Sequence, residues 1–532
     1  MTRDRAQLSL AVVGLLLAFA APVAAPSTTL LPAPSGVVAS AAAGAVLASL
    51  FLFGLARPVW ALFALIALVV LEGAIRRWVV NGLTVFLAKD FLALGLYAAI
   101  LPRLRRDEWR RPWWLLAPLG LLLALALVHV ARSGSGSNAI VGLRSYTIYV
   151  PLLWAAPAIV DTSRRAYTLV GLVLTLGAGN AVFSVVQARS GDSVLNKLVS
   201  GSQQGLITLQ GAAYIRPAGT FMQTGVMAAW LFLTVVVALG VLIAHRRGRW
   251  LAAGLAAISL VAWGVVYASA RSLLGSVLLV CMLAALVLIA RRRIFTAGAI
   301  PAAFATGLVL AVWGVPWTQE QGTEAVRWVD RQYTERVQGR PYVEAHGRGS
   351  DGRGSDDDAA PGGGFLRRAA DFNKAGGEVG LWSDRVEPQF ELISEQGLVG
   401  RGTGKMTLGS GYGAGGSGES ILQGEGMYTK AAWELGLFGL AAFVWFALAL
   451  AAVSVLGVLR SDGWRRMLAV AAAGATLILP LWYLLTFALD FPVVATLVYV
   501  LAGCASSYAC AVTRRSSSSN RAAITSHDSS DS

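Results

Sequence analysis

Apolar runs of about 20 residues recur along most of this chain, and they restrict what it can fold into. Inside a bilayer each crossing segment has to satisfy its own backbone hydrogen bonds, and a helix does so within a single run. The chain is 56% hydrophobic and 14% charged, whereas soluble domains carry roughly 25% charged residues. The sequence therefore predicts an all-α, polytopic membrane protein.

The runs divide the chain into four parts. Residues 1–314 are predicted to form an N-terminal bundle of about eleven helices, and residues 428–512 supply the rest, about fourteen spans in all. Residues 315–427 form one large loop, and the Ser-rich tail, residues 513–532, is predicted to be disordered. The first run, residues 8–26, is interpreted as a retained helix, although Pro22-Val-Ala-Ala also resembles a signal-peptide cleavage region.

The net charge of +15 comes mainly from Arg clusters between the apolar runs. If the N-terminus is cytoplasmic, these clusters fall on the cytoplasmic side, as the positive-inside rule requires. Orientation therefore explains the basic charge better than nucleic-acid binding does. This arrangement predicts cytoplasmic termini and an external loop at 315–427. The clusters are Arg57; Arg103, Arg105, Arg106, Arg110 and Arg111; Arg164 and Arg165; His245, Arg246, Arg247 and Arg249; Arg291, Arg292 and Arg293; Arg460, Arg465 and Arg466; and Arg514 and Arg515.

A few arginines lie instead at the external ends of the predicted spans. Snorkelling makes each of them tolerable at a membrane boundary. Several guanidinium groups converging on one face nevertheless indicate an anionic ligand, because Arg binds phosphate and carboxylate oxygens in pairs. These arginines are Arg76, Arg77, Arg132, Arg216 and Arg271.

Charged residues also occur within the apolar runs. Lys89 and Asp90 lie in the middle of a predicted span, and we interpret them as members of interhelical ion pairs. Glu72 and Arg76 are four residues apart, so they lie on one helix face and can pair.

The large loop has a mixed composition. Residues 319–338 and 384–396 are predicted to be short helices, and the Gly/Ser/Asp-rich residues 347–364 are predicted to be a flexible linker. Its Asp356-Asp357-Asp358 run lacks the ligand spacing of a calcium loop. The three cysteines of the chain lie in apolar runs without metal-binding spacing. We therefore predict neither a metal nor another cofactor.

Four stretches of the chain carry a resemblance to a known family. In their order and topology they resemble the O-antigen ligase and Wzy-type polysaccharide polymerase superfamily over roughly residues 60–512. The segment Glu72-Gly-Ala-Ile-Arg76-Arg-Trp78, followed by Lys89-Asp90, resembles a trait of one subgroup of these proteins. The four stretches are Ile215-Arg-Pro-Ala-Gly-Thr-Phe221, Ser269-Ala-Arg-Ser272, Gly397-Leu-Val-Gly-Arg-Gly-Thr-Gly404 and Trp433-Glu-Leu-Gly-Leu-Phe-Gly439.

The resemblance implies a GT-C-like helical fold in the bacterial cytoplasmic membrane. It also implies a metal-independent glycan transferase that works at the periplasmic face. Such proteins take a glycan from an undecaprenyl-diphosphate carrier and pass it to a lipid-A core sugar, as ligases, or to another glycan, as polymerases. The expected partners are this lipid-linked donor, the acceptor and the membrane lipids.

The same comparison suggests site residues. The diphosphate leaving group needs cations, and Arg216 and Arg271 are the first candidates, followed by Arg132 and Arg76. Family ligases have a His shortly before the Glu of the last stretch, but the corresponding position here holds Glu425. We therefore expect Glu425 to be the base that activates the acceptor hydroxyl.

Two other functions stay open at this point. Many helices and the intramembrane Lys89 and Asp90 also suit a transporter or a flippase for lipid-linked glycans, although the halves of the chain show no clear repeat. A non-catalytic partner in envelope polysaccharide assembly would use the large loop as a docking surface.

Overall fold

A computed structural model describes the chain over most of its helical parts. The residues that it describes are almost entirely helical, as the sequence predicts. One short antiparallel hairpin pairs β1, Leu206–Leu209, with β2, Ala212–Ile215. The described residues are 36–78, 83–132, 136–189, 206–209, 212–215, 217–221, 224–245, 248–268, 271–313, 387–394, 397–403, 426–482, 489 and 491–528. The helices are α1 Gly36–Ala56, α2 Pro58–Trp78, α3 Leu83–Ile100, α4 Arg106–Trp109, α5 Trp113–Arg132, α6 Gly136–Thr147, α7 Leu152–Ile159, α8 Ser163–Arg189, α9 Thr224–Ala244, α10 Arg249–Ala268, α11 Arg271–Ala290, α12 Ile294–Trp313, α13 Glu387–Ser394, α14 Met427–Arg460, α15 Gly463–Trp482 and α16 Pro492–Asp528.

The lengths of these helices show a multi-pass membrane protein. Within the described part of the chain, eight helices are long and apolar enough to cross a membrane, or nine if one bent pair counts as a span. Three shorter apolar helices accompany them, at Ala41–Ala56, Leu274–Ala290 and Ile294–Leu310. The total of about fourteen spans and the GT-C-like arrangement stay predictions, and the first predicted run, residues 8–26, lies outside the described residues.

The bundle is built around α9, of whose apolar stretch 94% is buried inside the protein. This helix is apolar on every side, which suits a position surrounded by other helices. It packs against α8, α10 and α15. Small residues let other helices approach closely: a Cβ on Gly95 of α3 would lie 2.1 Å from the carbonyl oxygen of Phe51 in α1.

One predicted span is broken. The apolar run at 139–160 forms α6 and α7, which meet at an angle of 41°. Pro151 starts α7 and disfavours helical backbone in the residue before it, so the break falls at residues 148–151. The broken span carries Arg144, Ser145 and Tyr146 on the last turn of α6.

Two predicted helices, α9 and α16, begin or end at residues other than those predicted from the sequence. The short helix predicted at 384–396 is present as α13, but the run predicted from about 218 becomes helical only at Thr224, because residues 217–221 form a turn. The backbone of α16 stays helical through Asp528, where disorder was predicted. No Gly or Pro occurs in residues 513–528 to interrupt the helix.

Short links between consecutive helices place their ends alternately at the two ends of the bundle. One end, which we call the basic face, carries the links at residues 57, 101–112, 160–162, 245–248, 291–293 and 461–462. The other end, the site face, carries the α2–α3, α5–α6 and α10–α11 junctions, the turn at 217–221 and the start of α14. The functional residues described next lie toward the site face.

Candidate functional site

Ionisable side chains gather in the apolar bundle near the site face. They come from α2, α3, α6 and α14, and four cations against three carboxylates leave one positive charge in excess. Charged groups at membrane depth are costly, so a cluster of them marks a functional site by default. We call this cluster the polar core. Its members are Glu72, Arg76, Lys89, Asp90, Arg144, Lys430 and Glu434.

Two interhelical ion pairs form the first half of the polar core. The Lys89 ammonium lies 2.8 Å from Glu72 Oε2 and donates to the carbonyl oxygen of Phe86 at 2.7 Å. Asp90 accepts from Arg144 through both carboxylate oxygens, with Nη2 2.9 Å from Oδ1. Arg76 lies 3.7 Å from Glu72. The predicted pairing of Lys89, of Asp90 and of Glu72 with Arg76 is confirmed.

An aromatic ring lies between the two pairs. The cationic groups of Lys89 and Arg144 lie 4.4 Å and 4.3 Å from the centroid of the Phe86 ring, within cation–π range. Glu72 and Arg144 keep 12% and 16% of their side-chain surface exposed. The polar core therefore opens to its surroundings at these two residues, whereas Lys89 is fully enclosed.

The second half joins α6 to the first turns of α14. The fully buried Lys430 donates to Ser145 Oγ at 3.1 Å. The hydroxyl of Tyr146 donates to Glu434 Oε2, also at 3.1 Å, and Glu434 is fully buried as well. Neither Glu434, which served only as a landmark of the family resemblance, nor Lys430 was predicted as a site residue. The signal was present, because the two residues lie one helical turn apart at the start of an apolar run.

A break in α14 lies directly beside Glu434. Gly436 has φ 77° and ψ −176°, a backbone conformation that residues other than glycine rarely adopt. The break frees backbone groups that need partners. Arg401 N donates to the Trp433 carbonyl at 2.8 Å and Gly402 N to that of Glu434 at 3.1 Å. Leu437 N donates to Gly397 O at 3.2 Å.

The segment Gly397–Thr403 is therefore docked on the break, and the fit is close. A Cβ on Gly400 would lie 2.3 Å from the carbonyl oxygen of Glu434, so only glycine fits there. The Arg401 guanidinium lies 3.9 Å from the Trp433 ring centroid. Two of the four stretches that carry the family resemblance are thus in direct contact, next to the polar core.

A third stretch forms the turn at 217–221. Gly219 has φ +61°, and its N–H donates to Gln187 Oε1 at 2.8 Å. Thr220 N donates to Asn180 Oδ1 at 2.9 Å, and Thr220 Oγ1 to the carbonyl of Val70 at 2.6 Å. The turn is therefore fixed to α8 and to α2, two residues before Glu72.

The predicted site residues are described to different extents. Arg76 belongs to the polar core, and Arg132 is exposed at the end of α5. Arg271 begins α11, but its side chain lies outside the described part, as do Arg216 and Glu425 entirely. Gly426, the residue after Glu425, accepts from Lys430 N at 3.0 Å.

Two of the histidines have side chains that the structure describes. His129 is buried in α5 with Nδ1 2.8 Å from the Leu125 carbonyl, and its Nε2 has no hydrogen-bond partner among the described residues. His245 follows α9 on the basic face, 3.2 Å from the Tyr167 hydroxyl. Partial burial and the nearby Arg293 lower the pKa of His245 below its usual value. His245 thus lies at the opposite end of the bundle from the polar core.

Within the described ranges, no group of three His, Cys, Asp or Glu side chains has the arrangement to hold a metal ion. Cys281 and Cys504 are buried free thiols.

Comparison of the chain with protein-family models and with curated proteins found no match.

Proposed function

We propose that this chain is a membrane glycan transferase of the O-antigen ligase and Wzy-type polymerase superfamily. It moves or polymerises a glycan from an undecaprenyl-diphosphate carrier onto a sugar hydroxyl at the outer face of a bacterial cytoplasmic membrane. The observation that carries the proposal is the docking of Gly397–Thr403 on the helix break at Gly436. These two stretches resemble the family independently, and they meet beside a buried, positively charged cluster.

The reaction breaks the bond between the anomeric carbon of the donor sugar and the diphosphate oxygen. The acceptor hydroxyl oxygen forms the new bond to that carbon, and undecaprenyl diphosphate departs with the electron pair. Negative charge accumulates on the diphosphate, so cations at fixed positions lower the barrier. In this proposal Arg216 and Arg271 bind the diphosphate, supported by Arg132 and Arg76.

A sugar hydroxyl is a weak nucleophile and benefits from a positioned base. The proposed base is Glu425, which takes the hydroxyl proton as the new bond forms. Two features of the polar core support this role: one of its members, Lys430, is close to Glu425 in the sequence, and the cluster has a net positive charge. Lys430 lies on the first turn of α14, five residues after Glu425, and its backbone N–H bonds to Gly426.

The test replaces each proposed residue singly in the full chain and expresses the variants in a strain that lacks the gene. Arg216→Gln, Arg271→Gln and Glu425→Gln should each lower polymer transfer by about 10²-fold or more, the usual effect of removing a charge-stabilising group or a base. Arg164→Gln and Glu391→Gln, at exposed positions outside the site, are the matched controls. Surface polysaccharide and the lipid-linked pool are measured together.

The lipid-linked intermediate separates the two activities of the family. Accumulated single repeats on the carrier would identify a polymerase, and accumulated polymers on the carrier would identify a ligase. Wild-type polysaccharide in all three site variants, at equal expression, would show that the site is assigned wrongly.

A flippase or transporter is the second candidate, favoured by the ion pairs inside the bundle and by the broken span α6–α7. Transport proteins place charged groups and interrupted helices at mid-membrane sites. If the chain is a flippase, substitution of Asp90 or Arg144 would abolish movement of the lipid carrier across the membrane of reconstituted vesicles. Transfer of glycan supplied on the outer face would stay intact.

A further inference from the structure

A second site lies at the basic face, at the opposite end of the bundle from the polar core. It is a half-open cavity of about 260 Å³ between the link after α3, the end of α7, the start of α15 and α16. Its lining combines aromatic and charged side chains, which is unlike the surrounding helix surfaces. The residues that matter here are Arg111, Trp154, Asp161, Trp464, Arg465 and Tyr508.

Aromatic rings form two walls of the cavity. On one side Trp154 lies 6.0 Å from Trp109, and its indole N–H donates to the Trp109 carbonyl at 3.1 Å. On the other side Trp464 meets Tyr508 edge-on at 5.9 Å. Trp and Tyr concentrate at the headgroup level of a bilayer, because one end of each ring system is apolar and the other polar. The rings of this cavity are thus of the types that suit the depth of lipid headgroups.

Two guanidinium groups supply positive charge. Arg465 is exposed, with its guanidinium carbon 5.3 Å from the Trp464 ring, and no described carboxylate lies within ion-pairing distance of it. Arg111 donates to the carbonyls of Leu153 at 3.2 Å and Glu108 at 2.9 Å. Carbonyl oxygens fix the orientation of a guanidinium group without cancelling its charge.

Two carboxylates, those of Glu108 and Asp161, also line the cavity. Asp161 pairs with Arg165 at 2.6 Å, and Glu108 accepts from the backbone N–H of Arg105 at 2.7 Å. Arg111, Arg165 and Arg465 together carry one more charge than the two carboxylates, and Arg465 is the exposed cation among the cavity-lining residues. A ligand that fits has a compact anionic group and a body that packs between aromatic rings.

We infer that this cavity binds the phosphate headgroup of an anionic phospholipid. Basic pockets between helices at the cytoplasmic side are suited to such headgroups. An apolar surface for the acyl chains lies beside it: Leu459 is 72% exposed, and the next residue, Arg460, donates to the carbonyl of Ala509 at 2.6 Å. Ala509 lies between the cavity residues Tyr508 and Cys510. The site does not depend on the proposed transferase activity.

The first test counts lipids bound to the full-length protein in detergent by native mass spectrometry. Phosphatidylglycerol should bind more tightly than phosphatidylcholine. Arg465→Gln should weaken phosphatidylglycerol binding about fivefold, the effect of one interfacial cation. Arg291→Gln, an exposed Arg at the same face outside the cavity, should leave binding unchanged. Equal affinity for both lipids, or equal binding by Arg465→Gln and Arg291→Gln, would overturn the inference.

The second test uses a thiol of the cavity itself. Cys510 lines the cavity and is partly exposed, whereas Cys281 and Cys504 are buried. Phosphatidylglycerol should slow alkylation of Cys510 by a maleimide several-fold, and phosphatidylcholine should not. Soluble sn-glycerol 3-phosphate tests the other source of the same phosphate chemistry. If it protects Cys510 as well as the lipid does, the cavity is a site for free phosphate esters and the lipid assignment is wrong.

Discussion

At the scale of single residues, the polar core is held by pairing rather than by exposure to water. Lys89 and Asp90 are almost fully buried, and each has an oppositely charged partner on another helix. The sequence predicts that these residues pair, because an isolated charge is too costly inside an apolar run. It does not identify Arg144 as the partner of Asp90, since these residues are 54 positions apart and only the fold brings them together.

We expect the Asp90–Arg144 pair to contribute strongly to stability. Asp90→Asn or Arg144→Gln alone leaves a buried charge without its partner, which costs about 3–5 kcal/mol. The double variant should lose clearly less than the sum of the two single losses. Denaturant unfolding of the purified protein measures all three. Asp161→Asn, in a pair whose side chains are 37% and 52% exposed, is the control and should cost about 1 kcal/mol or less. Strict additivity in the double variant would refute the coupling.

At the scale of elements, the main departure from the sequence is the interruption of α14. The run from residue 428 to 458 predicts one continuous helix, and the glycines within it are ordinary for a membrane segment. The positive φ of Gly436 is imposed by a partner, since residues 397–403 supply the hydrogen bonds that the break removes. Periodicity within one run contains no information about such a partner, so the break was not predictable.

Gly400→Ala tests this docking. The added Cβ would lie 2.3 Å from the carbonyl oxygen of Glu434, a backbone atom that cannot move without disturbing α14. We expect a loss of about 1–3 kcal/mol, the usual cost of overpacking, together with reduced glycan transfer. Gly397→Ala is the matched control in the same segment, because the nearest atom to its Cβ lies 3.8 Å away. Thermal unfolding and protease sensitivity of the loop give the readout, and equal behaviour of the two variants would exclude close docking.

At the scale of the whole molecule, the two ends of the bundle differ in charge and in their proposed functions. The basic face carries the Arg clusters and the aromatic cavity, and the site face carries the polar core, the turn at 217–221 and the docked segment. Hydropathy and charge sorting predict the helices and their alternation well, because both depend on single segments. Which helices surround α9 depends on packing between distant segments, and the sequence alone does not reveal it.

The positive-inside rule predicts which end faces the cytoplasm, and labelling of single cysteines tests it. In a Cys510→Ser background, Ser394→Cys in the large loop should react with a membrane-impermeant maleimide in intact spheroplasts. Ser163→Cys at the basic face should react only after permeabilisation. Both positions are exposed in the structure. The reverse pattern would place the polar core at the cytoplasmic end and would exclude transfer from a carrier at the outer face.

The contacts of α14 also determine the order in which the two halves of the polar core can assemble during translation. Lys430 and Ser145 are separated by 285 positions, and Tyr146 and Glu434 by 288. The Glu72–Lys89 and Asp90–Arg144 pairs are available once the first six described helices have left the ribosome, whereas the second half has to wait for a segment made in the last quarter of translation. A nascent chain therefore holds only the first half of the polar core during much of its synthesis and acquires the complete set of charges only when α14 inserts.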